Sequence, residues 1–141
     1  ILERDVLSTS AFRRPLAEER VRLLRKPVQQ IEGESRYDFV ISGLPMSVFE
    51  LDVVEQIYTV IRRLLKPGGV FTYFEYTWLR RTSRVLTLGR NRARIRAVSA
   101  YLTRNIREHE FASRSVIGNI PPARVRHLRF DRNGNGNGNG R

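Results

Sequence analysis

The sequence predicts an α/β fold organised around one parallel strand–helix–strand unit, and three observations carry that prediction. Tyr37-Asp38-Phe39-Val40-Ile41-Ser42 and Val70-Phe71-Thr72-Tyr73-Phe74-Glu75 are short runs rich in β-branched and aromatic residues. Between them, residues 51–65 carry apolar side chains at helical spacing, and Leu65-Lys66-Pro67-Gly68-Gly69 closes the helix just before the second run. Two short strands that flank a helix of this length can lie parallel, joined by a right-handed crossover. Phe39-Val40-Ile41 and Val70-Phe71 are apolar throughout rather than alternating, as expected of parallel strands covered by helices on both faces.

Taken in order, residues 1–9 read as the end of a helix already under way, which suggests a piece of a longer chain. Ser8-Thr9-Ser10 starts a polar loop that carries Arg13, Arg14 and Pro15. Val21-Arg22-Leu23-Leu24 is a candidate strand, stopped by Lys26-Pro27 because proline has no backbone donor. Residues 29–36 are polar and read as a short helix or loop. In the central helix Val53, Val54, Ile57, Ile61, Leu64 and Leu65 share one side, with Glu55, Gln56, Arg62 and Arg63 mostly on the other. Asp52 and Glu55 can cap its first turn, Arg62 and Arg63 complement its dipole, and Pro67 with Gly68-Gly69 is expected to end it.

After Trp78, Arg80, Arg81 and Arg84 surround Val85-Leu86-Thr87-Leu88, and Gly89 marks a break. A second helix is expected over residues 91–109. Its Ile95, Val98, Leu102 and Ile106 would face the sheet, with Arg92, Arg96, Arg104 and Arg107 elsewhere. Ser115-Val116-Ile117 and residues 123–130 are candidate strands joined by Asn119-Ile120-Pro121-Pro122, an antiparallel hairpin that closes the domain. The second of these strands alternates apolar and basic residues and so reads as half-exposed. Residues 133–140 repeat Asn-Gly four times. Such a segment cannot bury a core and is expected to be disordered, so residues 1–132 form the domain portion and 133–141 a tail.

Composition narrows the chemistry. The chain has 141 residues, enough for one domain, and no cysteine, which excludes disulfides and thiolate metal sites. Its two histidines make no convincing metal cluster, so no metal is expected. No apolar stretch approaches membrane-spanning length and no signal-peptide pattern opens the chain, which makes a cytoplasmic location the expectation. The net charge of +12 is one-sided: residues 1–75 hold 11 basic and 11 acidic side chains, whereas residues 76–141 hold 15 arginines against Glu108, Glu110 and Asp131. Such a field suits an anionic partner, nucleic acid or an anionic membrane surface. A genome biased toward arginine codons would give the same composition, since Lys26 and Lys66 are the only lysines.

In open α/β sheets ligands bind beyond the carboxyl ends of the strands. That rule directs attention to Ser42-Gly43-Leu44-Pro45 and to Tyr73-Phe74-Glu75-Tyr76-Thr77-Trp78. The β–α–β unit joined by Leu65-Lys66-Pro67-Gly68-Gly69 and followed by a terminal hairpin resembles the second half of a class I S-adenosylmethionine-dependent methyltransferase. Ser42-Gly43-Leu44-Pro45 and Asn119-Ile120-Pro121-Pro122-Ala123-Arg124-Val125 are similar to motifs of the bacterial phospholipid N-methyltransferases, which methylate phosphatidylethanolamine. The resemblance covers roughly residues 21–130. It implies a Rossmann-like sheet that is incomplete, its first two strands missing, with residues 1–9 matching the helix after the second strand. The Gly-rich loop and the ribose-binding acid that such enzymes use have no counterpart here. Residues 21–24 would then lack a neighbouring strand, and weak cofactor binding by the isolated chain is expected.

The resemblance also implies roles. Methyl transfer is an in-line displacement by a neutral nitrogen on a sulfonium methyl, so positioning and charge stabilisation dominate. Ser42, Gly43, Leu44 and Pro45 would form the floor between cofactor and acceptor, with Ser42 and Gly43 also touching S-adenosylmethionine. Pro27 and Val28 would meet its adenine. Glu75 would hold the substrate ammonium or take its proton, with Tyr76 beside it, and Tyr73 and Trp78 would offer rings to a methylated ammonium. Phe74 reads as a core ring instead. Gly43 and Met46 stand where rRNA adenine dimethyltransferases carry Asn and Tyr in Asn-Leu-Pro-Tyr, which argues against a base as acceptor. His109 reads as a helix-end cation or a solvated side chain rather than a general base, and His127 as structural. The arginines between Arg80 and Arg107 would meet lipid phosphates at the inner membrane surface, or form a solvated face. Two other readings stay open: an rRNA adenine dimethyltransferase-like enzyme, and a non-catalytic basic module that binds RNA or membranes.

Overall fold

The computed structural model describes residues 14, 15, 17, 18, 20–76, 90–118 and 122–130. Two compact units are distinguished, Ile1–Gln30 and Ile31–Arg141. In the first unit, residues 20–25 form no strand and a 3-10 turn spans Val28–Gln30. The expected strand at residues 21–24 is therefore absent. A strand is held by its ladder, and no described strand pairs with these residues, which leaves Leu23 and Leu24 exposed.

The second unit is a four-stranded sheet with two helices. Its elements are β1 (Tyr37–Ser42), α1 (Leu51–Leu64), β2 (Leu65–Tyr76), α2 (Arg90–His109), β3 (Glu110–Val116) and β4 (Ala123–Arg129), in the sheet order β1-β2-β4-β3. β1 and β2 run parallel, with Val40 opposite Phe71 and Ser42 opposite Tyr73. β4 pairs antiparallel with both β2 and β3. The expected unit and hairpin are both present, although β3 begins at Glu110, directly after α2, rather than near Ser115.

α1 forms where the apolar spacing places it, burying Val54, Ile57, Tyr58, Ile61 and Leu64. Its N-cap is Glu50, which makes no side-chain cap, so the expected Asp52–Glu55 cap gives way to Asp52 acting only as an acid in the first turn. The helix also stops earlier than the Pro-Gly-Gly sequence suggested. Leu65 is already extended, and the carbonyls of Arg63 and Leu64 accept the backbone N–H groups of Ser35 and Arg36 at 2.8 Å each. Pro67, Gly68 and Gly69 form a bulge at the start of β2, between the pairs Tyr37–Leu65 and Phe39–Val70. Gly68 takes φ +75, and a Cβ on Gly69 would stand 2.9 Å from the Lys66 carbonyl oxygen. Lys66 Nζ spans the same bulge to Asp38 Oδ2 at 2.8 Å.

Strand alternation divides the sheet into two unlike faces. On one, Phe71, Tyr73 and Leu128 pack under the helices with Val98 and Leu102. Tyr58 centres this core, meeting Phe71, Tyr101 and Phe130 edge-on at 5.6, 5.5 and 6.2 Å between ring centroids. Such pairs add about 0.5–1.5 kcal/mol each beyond burial. On the other face Phe39 and Ile41 are 69% and 81% exposed. Coverage of both faces, expected from the unbroken apolar runs, is thus not found for β1.

Candidate functional site

The carboxyl ends of β1 and β2 lie side by side, so residues 42–45 and 73–76 share one edge of the sheet. At the end of β1 the buried Ser42 turns inward and its Oγ accepts the Leu44 N–H at 3.2 Å, and the Met46 N–H then closes on the Leu44 carbonyl at 2.9 Å. This local bonding lets the chain leave the strand and enter the 3-10 turn Met46–Val48, with Met46 anchored in the core. Gly43 and Pro45 stay exposed. A Cβ on Gly43 would lie 3.5 Å from the Phe74 ring, an ordinary contact, so the open backbone here is not forced by packing.

Arg94 of α2 fixes the outer side of this loop. Its Nη1 donates to the carbonyls of Val48 and Phe49 at 2.8 and 3.1 Å, and its Nε lies 3.5 Å from Glu50. The amino end of α2 is thereby tied to the loop that leaves β1.

On β2 the alternation corrects the expected roles. Tyr73, assigned to the acceptor, is 1% exposed and stacks on Phe71 at 5.3 Å between centroids, so it is a core ring. Phe74, expected in the core, points to the open face, where its ring meets Tyr76 edge-on at 5.5 Å. Tyr76 is half-buried beside it, and Trp78 lies outside the described residues. Pro27 and Val28 belong to the first unit, Pro27 exposed and Val28 half-buried.

Glu75 is engaged within the protein rather than poised as a base. Its Oε1 accepts the Tyr73 hydroxyl at 3.3 Å, and its Oε2 stands 3.2 Å from Arg126 Nε in an ion pair that falls short of hydrogen-bond geometry. Arg126 is 6% exposed and donates through Nη1 to Glu110 Oε2 at 2.6 Å. A carboxylate, a guanidinium and a second carboxylate thus form a chain beneath the edge, with one more acid than base. Burial works against the Arg126 charge, but the bonds to Glu110 and Glu75 outweigh it and raise its pKa. The Tyr73 and Tyr58 hydroxyls face each other, Tyr58 without a hydrogen bond of good geometry, and burial raises both phenols well above their ordinary value.

Sequence reasoning missed Arg126 and Glu110. A signal for Arg126 was present: once Leu128 and Phe130 face the core, a period of two places Arg126 on the same side. His109 is neither solvated nor a bare helix-end cation. Its Nε2 lies 3.2 Å from Arg62 Nη2 and its ring meets Phe130 at 5.0 Å. His127 Nδ1 lies 2.9 Å from Thr72 Oγ1, across the β2–β4 pair. Asn119, Ile120 and Pro121 of the expected turn, and the tail, lie outside the described residues. Among the described residues no cluster of acids and histidines could hold a metal, and no helix is long and apolar enough to cross a membrane.

Gly43 is exposed at this edge and its backbone allows close approach, whereas Ser42 is buried and Glu75, the acid of this edge, is turned to Arg126 and offers no ribose contact, so the residues present would supply at most one wall of an S-adenosylmethionine site.

Several solved structures share this fold. The PH0226 protein of Pyrococcus horikoshii OT3 is 16% identical, with 84% of this chain and 65% of that one covered and a TM-score of 0.54. The N-methyltransferase NodS of Bradyrhizobium japonicum WM9 is 12% identical, with 83% and 65% covered and a TM-score of 0.53. The 1,6-didemethyltoxoflavin-N1-methyltransferase of Burkholderia thailandensis, with bound 1,6-didemethyltoxoflavin and S-adenosylhomocysteine, is 21% identical, with 88% and 59% covered and a TM-score of 0.52. The chain therefore spans between 59% and 65% of the length of these structures, and at such identities the likeness is one of fold. No protein-family model and no curated protein matches the sequence. The mixed α/β sheet ending in an antiparallel hairpin, expected from the sequence, is found, and it is a fold that these structures share.

Proposed function

We propose that this chain is part of an S-adenosylmethionine-dependent N-methyltransferase whose acceptor is the amine of a phosphatidylethanolamine-type headgroup. The observation that carries the reading is the shared carboxyl edge of β1 and β2, where an open backbone at residues 43–45 meets the Phe74–Tyr76 rings. S-adenosylmethionine would supply the methyl group as an activated sulfonium. The chain's own residues would bind and orient the amine. The carbonyls of Leu44 and Pro45 already accept the Met46 and Val48 N–H groups, so the Gly43 carbonyl would accept the N–H bond that turns the nitrogen lone pair toward the donor. The Phe74 and Tyr76 rings suit an ammonium that gains methyl groups, because ring faces attract quaternary nitrogen. Glu75 and Glu110 around Arg126 leave a net negative charge under the edge, which favours a cationic product without requiring Glu75 to take a proton.

The finer choice of a lipid amine rests on the Ser42-Gly43-Leu44-Pro45 motif and its similarity to phospholipid N-methyltransferases. Transfer of a labelled methyl group from S-adenosylmethionine to phosphatidylethanolamine vesicles tests it, with Tyr76→Ala expected to lower the yield of the more highly methylated lipid. Methyladenine in an RNA digest with unmodified lipid would overturn the acceptor. Absence of measurable affinity for S-adenosylhomocysteine in a version of the protein that carries the Gly-rich loop would overturn methyl transfer and move a basic binding module to first place.

A further inference from the structure

We infer that the outward face of α2 is a docking ridge for an anionic phospholipid bilayer. The choice of bilayer rests on the headgroup reading above, whereas the ridge itself rests on the charge and geometry of the helix. α2 buries Val98, Leu102 and Asn105 on its inner side. On its outer side Arg92, Ala93, Arg96, Ala100, Arg104 and Arg107 are exposed. Arg92 and Arg96 are one turn apart, Arg104 and Arg107 close the far end, and from first to last the stripe runs for about 22 Å. Among the described residues none of these four arginines has an ion-pair partner, and Arg104 only leans over the Tyr101 ring at 5.7 Å. Elsewhere in this unit Arg62, Arg94 and Arg126 are tied to named partners. The ridge is therefore the strongly basic part of the helix, with Glu108, 3.7 Å from His109, the one acid of α2 at its far end.

Two features favour a bilayer over other polyanions. Between the arginines the exposed residues are Ala93 and Ala100, and Tyr101 is half-buried beside Arg104, so no exposed aromatic or amide side chain stands among them to stack on or read a base. It also starts at the acceptor edge, since Arg94 bonds the carbonyls of Val48 and Phe49 just beyond residues 42–45. A flat layer of headgroup phosphates along the ridge would thus bring neighbouring headgroups to that edge. The apolar side of α2 is used in the core, so contact is by surface charge and not by insertion.

The test is sedimentation of the full chain with vesicles of phosphatidylethanolamine and phosphatidylglycerol at stepped salt, without S-adenosylmethionine. Removing one arginine of the ridge should weaken binding about fivefold, and R92Q/R96Q/R104Q/R107Q several-hundred-fold. R114Q/R124Q/R129Q, which removes exposed arginines of β3 and β4, should weaken it only a few-fold. A quadruple lysine variant at the ridge keeps the charge and should stay within about twofold of the parent, which also guards against a glutamine variant that fails to fold. Equal losses in the ridge and control variants would overturn the proposal. So would loss in the lysine variant, or tighter binding to poly(U) than to vesicles at the same salt. If the ridge variant still binds vesicles while headgroups are methylated, the ridge fails alone. If binding follows the ridge but no headgroup is methylated, the ridge stands and the acceptor reading fails.

Discussion

Replacing Arg126 with methionine isolates the buried charge chain. The Arg126 side chain is 8% exposed, 2.6 Å from Glu110 and 3.2 Å from Glu75, and the two carboxylate side chains are only 20% and 17% exposed. Methionine fills much of the arginine stem's volume, so the packing loss is small. What remains is a pair of half-buried acids without their shared cation, in the strand that holds β2 and β3 together. Removing one member of such a buried arrangement costs about 3–5 kcal/mol. For a chain of this size that is a fall in Tm on the order of 10–20 °C. The triple variant E75Q/R126M/E110Q removes the stranded charges and should recover more than half of the loss. Thermal and urea unfolding, followed by circular dichroism, give both values. A cost under about 1 kcal/mol for R126M, or a triple variant no more stable than R126M, would refute the view that charge compensation holds this edge.

Alkaline titration probes the neighbouring phenols. Tyr58 and Tyr73 have their pKa raised from 10.0 by burial, so above pH 10 the unfolded chain releases protons that the folded chain keeps. Stability present below pH 10 should then fall as pH rises, by about 1.4 kcal/mol per pH unit for each phenol, and because burial raises Tyr101 as well, Tyr58→Phe should remove about a third of the slope of urea midpoint against pH. At neutral pH Tyr58→Phe removes a buried hydroxyl without a good partner and should be neutral or stabilising by about 1 kcal/mol, whereas Tyr58→Ala, which empties the centre of the aromatic core, should cost about 3–5 kcal/mol in the same unfolding assay. In the β2 bulge Gly69→Ala places a Cβ 2.9 Å from the Lys66 oxygen and 3.2 Å from that of Asp38, both backbone atoms, while Gly68→Ala meets open space at φ +75. Gly69→Ala should cost more than about 2 kcal/mol and Gly68→Ala about 1 kcal/mol, and the reverse order in chemical denaturation would show that the bulge relaxes freely.

Local signals made the scaffold legible and left its charges hidden. The helical spacing of Val54, Ile57, Ile61 and Leu64 and the alternation in β4 act over a few residues, and both elements form, although Arg126, on the side of β4 read as exposed, is buried. The partner of Glu75 lies far along the chain, and only the pairing of β2 with β4 brings Arg126 to it. The exchange between Tyr73 and Phe74 came from reading a strand as apolar without fixing its phase; with Phe71 inward, Tyr73 must follow and Phe74 must turn out. Residues 21–24 show the opposite limit. Their composition suits a strand, but strand formation depends on a partner that local composition does not supply. α1 ends at Leu64, within one residue of the expected end, and Ser35 and Arg36 satisfy its last carbonyls, contacts invisible to a rule based on Pro and Gly.

The two faces of the sheet also separate what a functional assay can test cleanly. Ser42 and Tyr73 face the helices, and Glu75 is bonded to Tyr73 and Arg126 on that same side, so a change at any of them alters stability and the candidate edge together. Phe74 and Tyr76 face outward and touch each other, with Gly43 alongside. Substitutions there disturb little of the core, and a loss of acceptor binding with unfolding unchanged can be assigned to contact at the edge. Glu75→Gln stands between these cases: it keeps the shape and the Tyr73 bond while removing the charge, leaving Arg126 with Glu110 alone. If its effect on methyl transfer exceeds its effect on stability, the negative charge acts on the acceptor. Equal effects would confine Glu75 to holding Arg126.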